Sequence, residues 1–234
     1  MKFTDTAALG AEESLEDLGG GYRILQGKEE FRFGTDAVRL ADFAVIKPGD
    51  RVMDLCSGTG IVPILLHKKE PKARYFGLEL QQKMCEMAQR SVSLNGLCES
   101  ITMQHGDLCR TAELFEAESF QVVTCNPPYM RAATGKQNER SSVTIARHEV
   151  CCTLADCVAA AAYLLPSGGK FYMVHRPERL ADIIAAMRAK RLEPKRLTLF
   201  AANASRPPRL LVIEGQKNRC SGLIVQLQTG DDTK

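Results

Sequence analysis

The stretch Val122-Val123-Thr124-Cys125-Asn126-Pro127-Pro128-Tyr129 limits what this chain can fold into more than any other. Val122 to Cys125 is short and β-branched and reads as a buried strand. Pro127 has its own φ fixed and Pro128 keeps Pro127 out of the α region, so the strand must stop, with Asn126 held at its carboxyl end. In open α/β sheets ligands bind along that edge. Asn-Pro is also an ordinary turn, so its meaning depends on what else the chain brings to the same edge.

From Arg51 the pattern becomes strand, turn, helix, repeated. Strands are predicted at Val52 to Leu55, Tyr75 to Glu79, Ile101 to Met103, Phe120 to Cys125 and Lys170 to His175. Helices are predicted from Ile61 to His67, Gln81 to Leu94, Ile145 to Leu165 and Pro177 to about Ala189. Leu197 to Phe200 and Leu210 to Ile213, divided by a Ser-Arg-Pro-Pro turn, suggest an antiparallel pair closing one edge, and Leu223 to Leu227 adds a last short strand. Strands alternating with helices in this way give an α/β, three-layer domain with a mostly parallel sheet. Residues 1–21 read as a flexible N-terminal arm and 22–234 as one domain. That domain starts with a hairpin, Tyr22 to Gln26 and Phe31 to Phe33 around Gly27-Lys28, and a helix capped by Thr35. Residues 130–142 lack periodicity and read as a mobile loop.

Net charge is only +3 but unevenly spread: residues 1–119 carry 14 Lys/Arg against 19 Asp/Glu, residues 120–234 carry 17 against 9. The basic half suits a polyanion, or else solvated helix ends. The nine cysteines lack the paired spacing of a zinc site or a secreted disulfide framework. Cys151, Cys152 and Cys157 fall in an Ala-rich run and read as small buried apolar residues. An odd cysteine count, no signal peptide and no apolar run of 18 residues predict a soluble, cytoplasmic protein with no membrane partner.

The chemistry gathers at strand ends. Asp54-Leu55-Cys56-Ser57-Gly58-Thr59-Gly60 joins the first strand of the alternating pattern to its helix through small residues that let a ligand approach the backbone. It is no P-loop, since no Gly-Lys-Ser/Thr follows, and Pro63 stands where the dinucleotide fingerprint wants a third glycine or alanine. Asp54 before the turn would repel pyrophosphate but receive an ammonium group, and Glu79 at the next strand end can take both ribose hydroxyls. Asp107 could accept from a base amine or simply cap the helix after it. Each acid has a plain surface role open to it; four acidic or amide residues at successive strand ends together suit a nucleoside bearing an amino acid.

The glycine turn together with Asn126-Pro127-Pro128-Tyr129 resembles the S-adenosylmethionine-dependent methyltransferases that modify exocyclic or amide nitrogens. Phe31 to Ala37, Asp54 to Gly60, Gly77-Leu78-Glu79, Arg147-His148-Glu149 and Val174 to Leu180 narrow the likeness. They resemble the bacterial family that methylates N6 of the adenine beside the anticodon in a valine tRNA. This resemblance implies a Rossmann-like fold with a mostly parallel seven-stranded sheet and an antiparallel edge. It implies S-adenosylmethionine as cofactor, S-adenosylhomocysteine as product, and no metal. Asn126, Pro127, Pro128 and Tyr129 would be catalytic. Phe33, Gly34, Thr35, Asp36, Asp54, Cys56, Ser57, Gly58, Gly60, Glu79, Leu80, Asp107, Leu108 and Asn126 would bind cofactor, with 22–47 as a lid.

RNA would be the partner, held by Arg131, Lys136, Arg140 and the basic cluster at 188–196, on a monomer or weak dimer. His148 and His175 fit a structural or RNA-contact role better than that of a base. Cys56 replaces the glycine common at the head of the turn, a harmless change if φ there is negative, and the chain ends soon after Leu227 without a longer tail. Two other readings stand beside this one. A protein glutamine N5-methyltransferase shares the motif but would carry a larger N-terminal helical domain; an RNA-binding protein without activity could keep the fold.

Overall fold

The computed structural model describes residues 10, 12–27, 34–128 and 152–230. A small hairpin pairs β1 (Glu13–Gly19) with β2 (Tyr22–Gly27). Helix α1 (Thr35–Phe43) leads into β3 (Arg51–Leu55), α2 (Ile61–Lys69), β4 (Arg74–Glu79), α3 (Gln82–Leu94) and β5 (Ile101–His105). The short α4 (Thr111–Leu114), β6 (Val122–Cys125), α5 (Leu154–Leu164), β7 (Lys170–His175) and α6 (Leu180–Ala189) follow. Strands β8 (Leu192–Ala201), β9 (Leu210–Lys217) and β10 (Ile224–Thr229) complete the described chain.

The main sheet has eight strands in the order β10-β8-β9-β7-β6-β3-β4-β5, with β9 antiparallel to both its neighbours. The expected count of seven is corrected by β10, which lies parallel to β8 outside the antiparallel pair. Parallel strands covered on both faces need apolar residues at nearly every position, and β6 and β7 are buried throughout but for Lys170. Side chains alternate between two cores. Val52, Val122, Tyr172 and Val212 pack under α1, α2 and α3, whereas Met53, Val123, Phe171 and Ile213 pack under α5 and α6. No helix among the described residues is long and apolar enough to cross a membrane.

The N-terminal region departs from expectation. Residues 13–19, expected in a flexible arm, are a strand that pairs with Tyr22–Gly27; Phe31–Phe33, expected as the partner, lie outside the described residues. The turn is Gly19-Gly20-Gly21, all at positive φ (73°, 67° and 85°), a conformation glycine adopts without cost. The hairpin is docked on α3. Leu25 N–H donates to Ser91 Oγ (3.0 Å), Arg23 N–H to Asn95 Oδ1 (2.8 Å), and Glu13 pairs with Arg90 (2.5 Å). Arg90's hydrogen bonds pull the Glu13 carboxyl down to a pKa of about 2. Tyr22 to Leu25 therefore brace the far half of α3, a flank rather than a cover; residues 28–33 lie outside the described residues.

Two helix starts also differ. Gly34, in extended conformation, is the N-cap of α1 and Thr35 its first residue, with no side-chain cap. Thr153 opens α5 with a capping box: its Oγ1 accepts from Asp156 N–H (3.2 Å) while Asp156 Oδ2 accepts from Thr153 N–H (2.8 Å). That reciprocal pair starts the helix at Leu154; of the longer predicted helix, 145–151 lie outside the described residues.

Candidate active site

Sheet order places β6 beside β3, pairing Leu55 with Cys125 and Asp54 with Thr124. The strand that ends in Asn126 thus runs alongside the strand that ends in the small-residue turn. Thr124 Oγ1 donates to Asp54 Oδ1 (2.6 Å), and Asp54 is only 2% exposed. Burial raises the Asp54 carboxyl to a pKa of about 7; Thr124 and the nearby Ser57 hydroxyl oppose the shift, and the Glu79 charge adds to it. Ser57 Oγ is itself buried and makes no hydrogen bond among the described residues.

Glu79 ends β4 and closes over the turn. Its Oε2 accepts from Gly58 N–H (2.8 Å) and its Oε1 from Gln81 N–H (2.9 Å). Gly58 (φ 55°) and Gly60 (φ 82°) supply the left-handed residues of the turn. Cys56 does too: its φ is 58°, so the condition on which its replacement of glycine is harmless is not met. A non-glycine residue there costs roughly 1–2 kcal/mol.

Gly77 enters the sequence argument only within Gly77-Leu78-Glu79, yet it matters most for close approach. It pairs with Asp54 across the ladder, and a Cβ on it would stand 2.3 Å from Met103 Cε and 2.6 Å from Ser57 Oγ. We expect Gly77→Ala to cost about 1–3 kcal/mol through overpacking, a melting-point loss of roughly 2–4 °C for each kcal/mol. Thermal melts check this; an unchanged midpoint would show that Met103 and Ser57 yield freely.

The third strand end holds Asp107, whose Oδ1 accepts from Cys109 N–H (2.8 Å) and so caps the turn that begins at the buried Leu108. Gly106 N–H donates to the Glu79 carbonyl (2.9 Å), bringing this end against the second. Leu80 is part exposed at the same edge. Asn126 is half-buried, Pro127 buried and Pro128 exposed. Gly34, Thr35 and Asp36 stand at the head of α1, which packs on α2, β7 and β9. Phe33, Tyr129, Arg131, Lys136, Arg140 and His148 lie outside the described residues. His175 ends β7, buried, its Nδ1 accepting from Arg176 N–H (2.8 Å), and burial lowers its pKa. A shallow hollow beside α4, lined by Ala112, Phe115 and Tyr163, contains none of these residues.

The 188–196 cluster lies away from these strand ends. Leu192 pairs with Lys217, and Lys170, at the start of β7, pairs with Gln216, so Arg188 to Arg191 sit at the amino edge of the sheet. That is a strand's length, about 20 Å, from the edge that carries Asn126. The charges are also engaged: Arg188 pairs with Glu193 (3.2 Å) and Arg196 with Glu214 (2.6 Å), Arg196 lies 4.3 Å from the Phe43 ring centre, and Lys195 donates to the Cys220 carbonyl (3.2 Å).

Spacing misses one constellation. Alternation along β6 turns Thr124 toward Asp54 and Cys125 toward α5, and the sulfurs of Cys56, Cys125 and Cys157 lie within 4.8 Å of one another. Cys152 Sγ is 3.9 Å from Cys157 Sγ. Three segments distant in sequence make this cluster, so no local motif could announce it.

The family model described as "Methyltransferase domain" matches residues 52–148. A tRNA1(Val) (adenine(37)-N6)-methyltransferase of Porphyromonas gingivalis is 25% identical over 189 residues, 78% of this chain and 73% of that protein. A ribosomal protein uL3 glutamine methyltransferase of Bordetella pertussis is 32% identical over 85 residues, 36% of this chain and 28% of that one. Among solved structures, a predicted O-methyltransferase from Agrobacterium tumefaciens superposes with a TM-score of 0.68 at 23% identity, covering 83% of this chain and 86% of that chain. A Streptomyces coelicolor geranyl diphosphate C-methyltransferase, solved with S-adenosyl-L-homocysteine, gives 0.58 at 12%, covering 78% and 77%. Fold and sequence agree: the fold is that of the S-adenosylmethionine-dependent methyltransferases, and over most of its length the chain is similar to the bacterial tRNA1(Val) adenine-N6 enzymes.

Proposed function

We propose that this protein transfers a methyl group from S-adenosylmethionine to the exocyclic N6 of an adenine in RNA, in a tRNA near the anticodon. The observation that carries the reading is the adjacency of two strand ends. Asn126-Pro127-Pro128 leaves β6 directly beside the buried Asp54 and its turn. The relatives named for tRNA adenine support the substrate.

The residues fit the cofactor. Among the described residues, a buried carboxyl with a raised pKa lacks a cation and the Ser57 hydroxyl lacks a partner, and Gly77, with no Cβ, lets Ser57 and Met103 sit close against β4. Asp54 would take the ammonium end, Glu79 the ribose hydroxyls and Asp107 the adenine amine, with Cys56, Ser57, Gly58, Gly60, Leu80 and Leu108 lining the site and Phe33 to Asp36 covering it. When bound, the sulfonium supplies an activated methyl group, so no side chain need be a strong base.

The remaining work belongs to this chain. An adenine amine is a poor nucleophile because its lone pair is delocalised into the ring. The Asn126 side-chain oxygen and the Pro127 carbonyl accept its two N–H groups, which draws the nitrogen toward tetrahedral geometry and frees the lone pair. The two prolines hold both acceptors in place before substrate arrives, so catalysis is preorganisation. Tyr129 gives the base a face to stack on.

For RNA, Arg131, Lys136 and Arg140 follow the motif in sequence, and the β7 and β8 ends add Arg176, Arg206 and Arg209, exposed at the same sheet edge as Asn126. Affinity is expected to fall steeply with salt as phosphates are neutralised. Replacing Arg206 and Arg209 should flatten the salt slope by about one for each phosphate no longer neutralised, and replacing Lys190 and Arg191 should leave it unchanged. A flat slope in the parent would remove RNA from the reading.

A glutamine side chain also presents an NH2 on a flat group, and the uL3 relative shares 32% identity over 85 residues. Labelled cofactor offered with small RNA and with total protein separates the two. Label in the protein fraction alone would overturn the adenine assignment.

A further inference from the structure

Four thiols meet beneath the two strand ends that form the proposed site. Cys56 follows β3 directly, Cys125 is the last residue of β6, Cys152 precedes the Thr153 cap, and Cys157 lies one turn into α5. Cys125 and Cys157 are fully buried, while Cys56 and Cys152 keep some exposure and so offer a way in from solvent.

The spacing is that of ligands around an ion. With Zn–S bonds of about 2.3 Å, sulfurs at the corners of a tetrahedron stand about 3.8 Å apart. Cys152 and Cys157 are at 3.9 Å, and Cys56, Cys125 and Cys157, within 4.8 Å of one another, need draw together by about 1 Å at most. A disulfide, at about 2.05 Å, is a different geometry, and all four cysteines are free.

The plain account, that these are small apolar residues filling a core, fails at Cys56. Its φ of 58° is one that glycine would adopt without strain, and the side chain retained at that cost is the one that puts a fourth sulfur into the cluster. We propose that Cys56, Cys125, Cys152 and Cys157 form a binding site for a thiophilic d10 cation, zinc(II), which ties the cofactor turn, the strand end before Asn126 and the head of α5 together. Each thiol that binds gives its proton to solvent, so occupancy strengthens as pH rises.

The test uses the full chain, stripped with chelator and kept reduced under anaerobic conditions. Cobalt(II) titration should saturate at one equivalent with the thiolate charge-transfer and visible bands of tetrahedral coordination, and zinc(II) should bleach them. Cys98→Ser combined with Cys220→Ser should leave the titration unchanged, and Cys157→Ser should abolish it. A serine at the buried Cys157 also threatens the fold, so the parent provides an independent measurement. Alkylation mapped by mass spectrometry should show zinc shielding Cys56 and Cys152 but not Cys98 or Cys220. Absence of the cobalt bands in the parent, their loss in the Cys98/Cys220 variant, or equal alkylation of Cys56 and Cys152 with and without zinc would each overturn the site.

Discussion

Asn126→Ala is expected to fold, to bind S-adenosylmethionine within a few-fold of the parent, and to transfer methyl at least about 10²-fold more slowly, the scale of losing one preorganised polar group. The expectation follows from position. Asn126 is half-buried at the carboxyl end of β6, while the acids assigned to the cofactor's ammonium, ribose and adenine belong to β3, β4 and the turn between β5 and α4. Removing its amide takes away one acceptor for the target amine and leaves the Pro127 carbonyl in place. Tyr129→Phe should be mild because stacking needs only the ring, and Tyr129→Ala should lose about 1–3 kcal/mol of base binding. If Asn126 merely formed a turn, its loss would lower the melting temperature without separating transfer from binding. Single-turnover assays on small RNA, with cofactor titration and melts on the same samples, decide this. A folded, cofactor-binding Asn126→Ala protein that methylates at the parent rate would refute the mechanism.

Asp54→Asn should make the unliganded protein more stable and the enzyme worse. Burial raises the Asp54 carboxyl from an ordinary 3.8 to about 7, so between those pH values the folded state holds a proton that the unfolded state has released. Stability contributed by the neutral acid is therefore complete below about pH 4 and falls as pH rises toward 7. The loss totals roughly 4 kcal/mol, at about 1.4 kcal/mol for each tenfold difference in proton affinity. Asparagine carries no such cost, since its carbonyl can still accept from Thr124. At pH 8 the variant should melt several degrees above the parent, and near pH 4 the difference should vanish. Cofactor affinity should move the other way: the parent should gain as pH approaches 7 and the carboxylate forms. The variant should lose about 1.5–3 kcal/mol of binding, the worth of a hydrogen bond to a charged group. Melts across pH and calorimetric titration test both arms. A variant less stable at pH 8 with unaltered affinity would remove Asp54 from the site.

How much of the molecule is legible in its sequence depends on whether a signal is local. Asp54, Glu79, Asp107 and Asn126 each end an apolar run, so strand pattern alone puts them on one edge, and the structure keeps them there. Gly19-Gly20-Gly21 is also local, but the acidic residues before it hide a strand whose Leu15 and Leu18 alternate too weakly to stand out. The place of the 188–196 charges is hidden for another reason: density of Lys and Arg says nothing about which end of a sheet they occupy. That is decided by β8 running parallel to β7, a tertiary fact. The backbone sign at Cys56 and the meeting of its sulfur with three others likewise emerge only when β6 lies down beside β3 and α5 covers them.

Strand β10 carries a different consequence. Among the described residues it pairs with β8 alone, and Ile224, Val225 and Leu227 are 61%, 56% and 54% exposed. Little of its side-chain area leaves water, so its ladder is held by backbone hydrogen bonds with almost no share in the cooperative core. It is a foldon of its own. Its amides should exchange with deuterium through local opening, fast and insensitive to substitutions in the core, while those of β3 and β6 wait for the molecule to unfold.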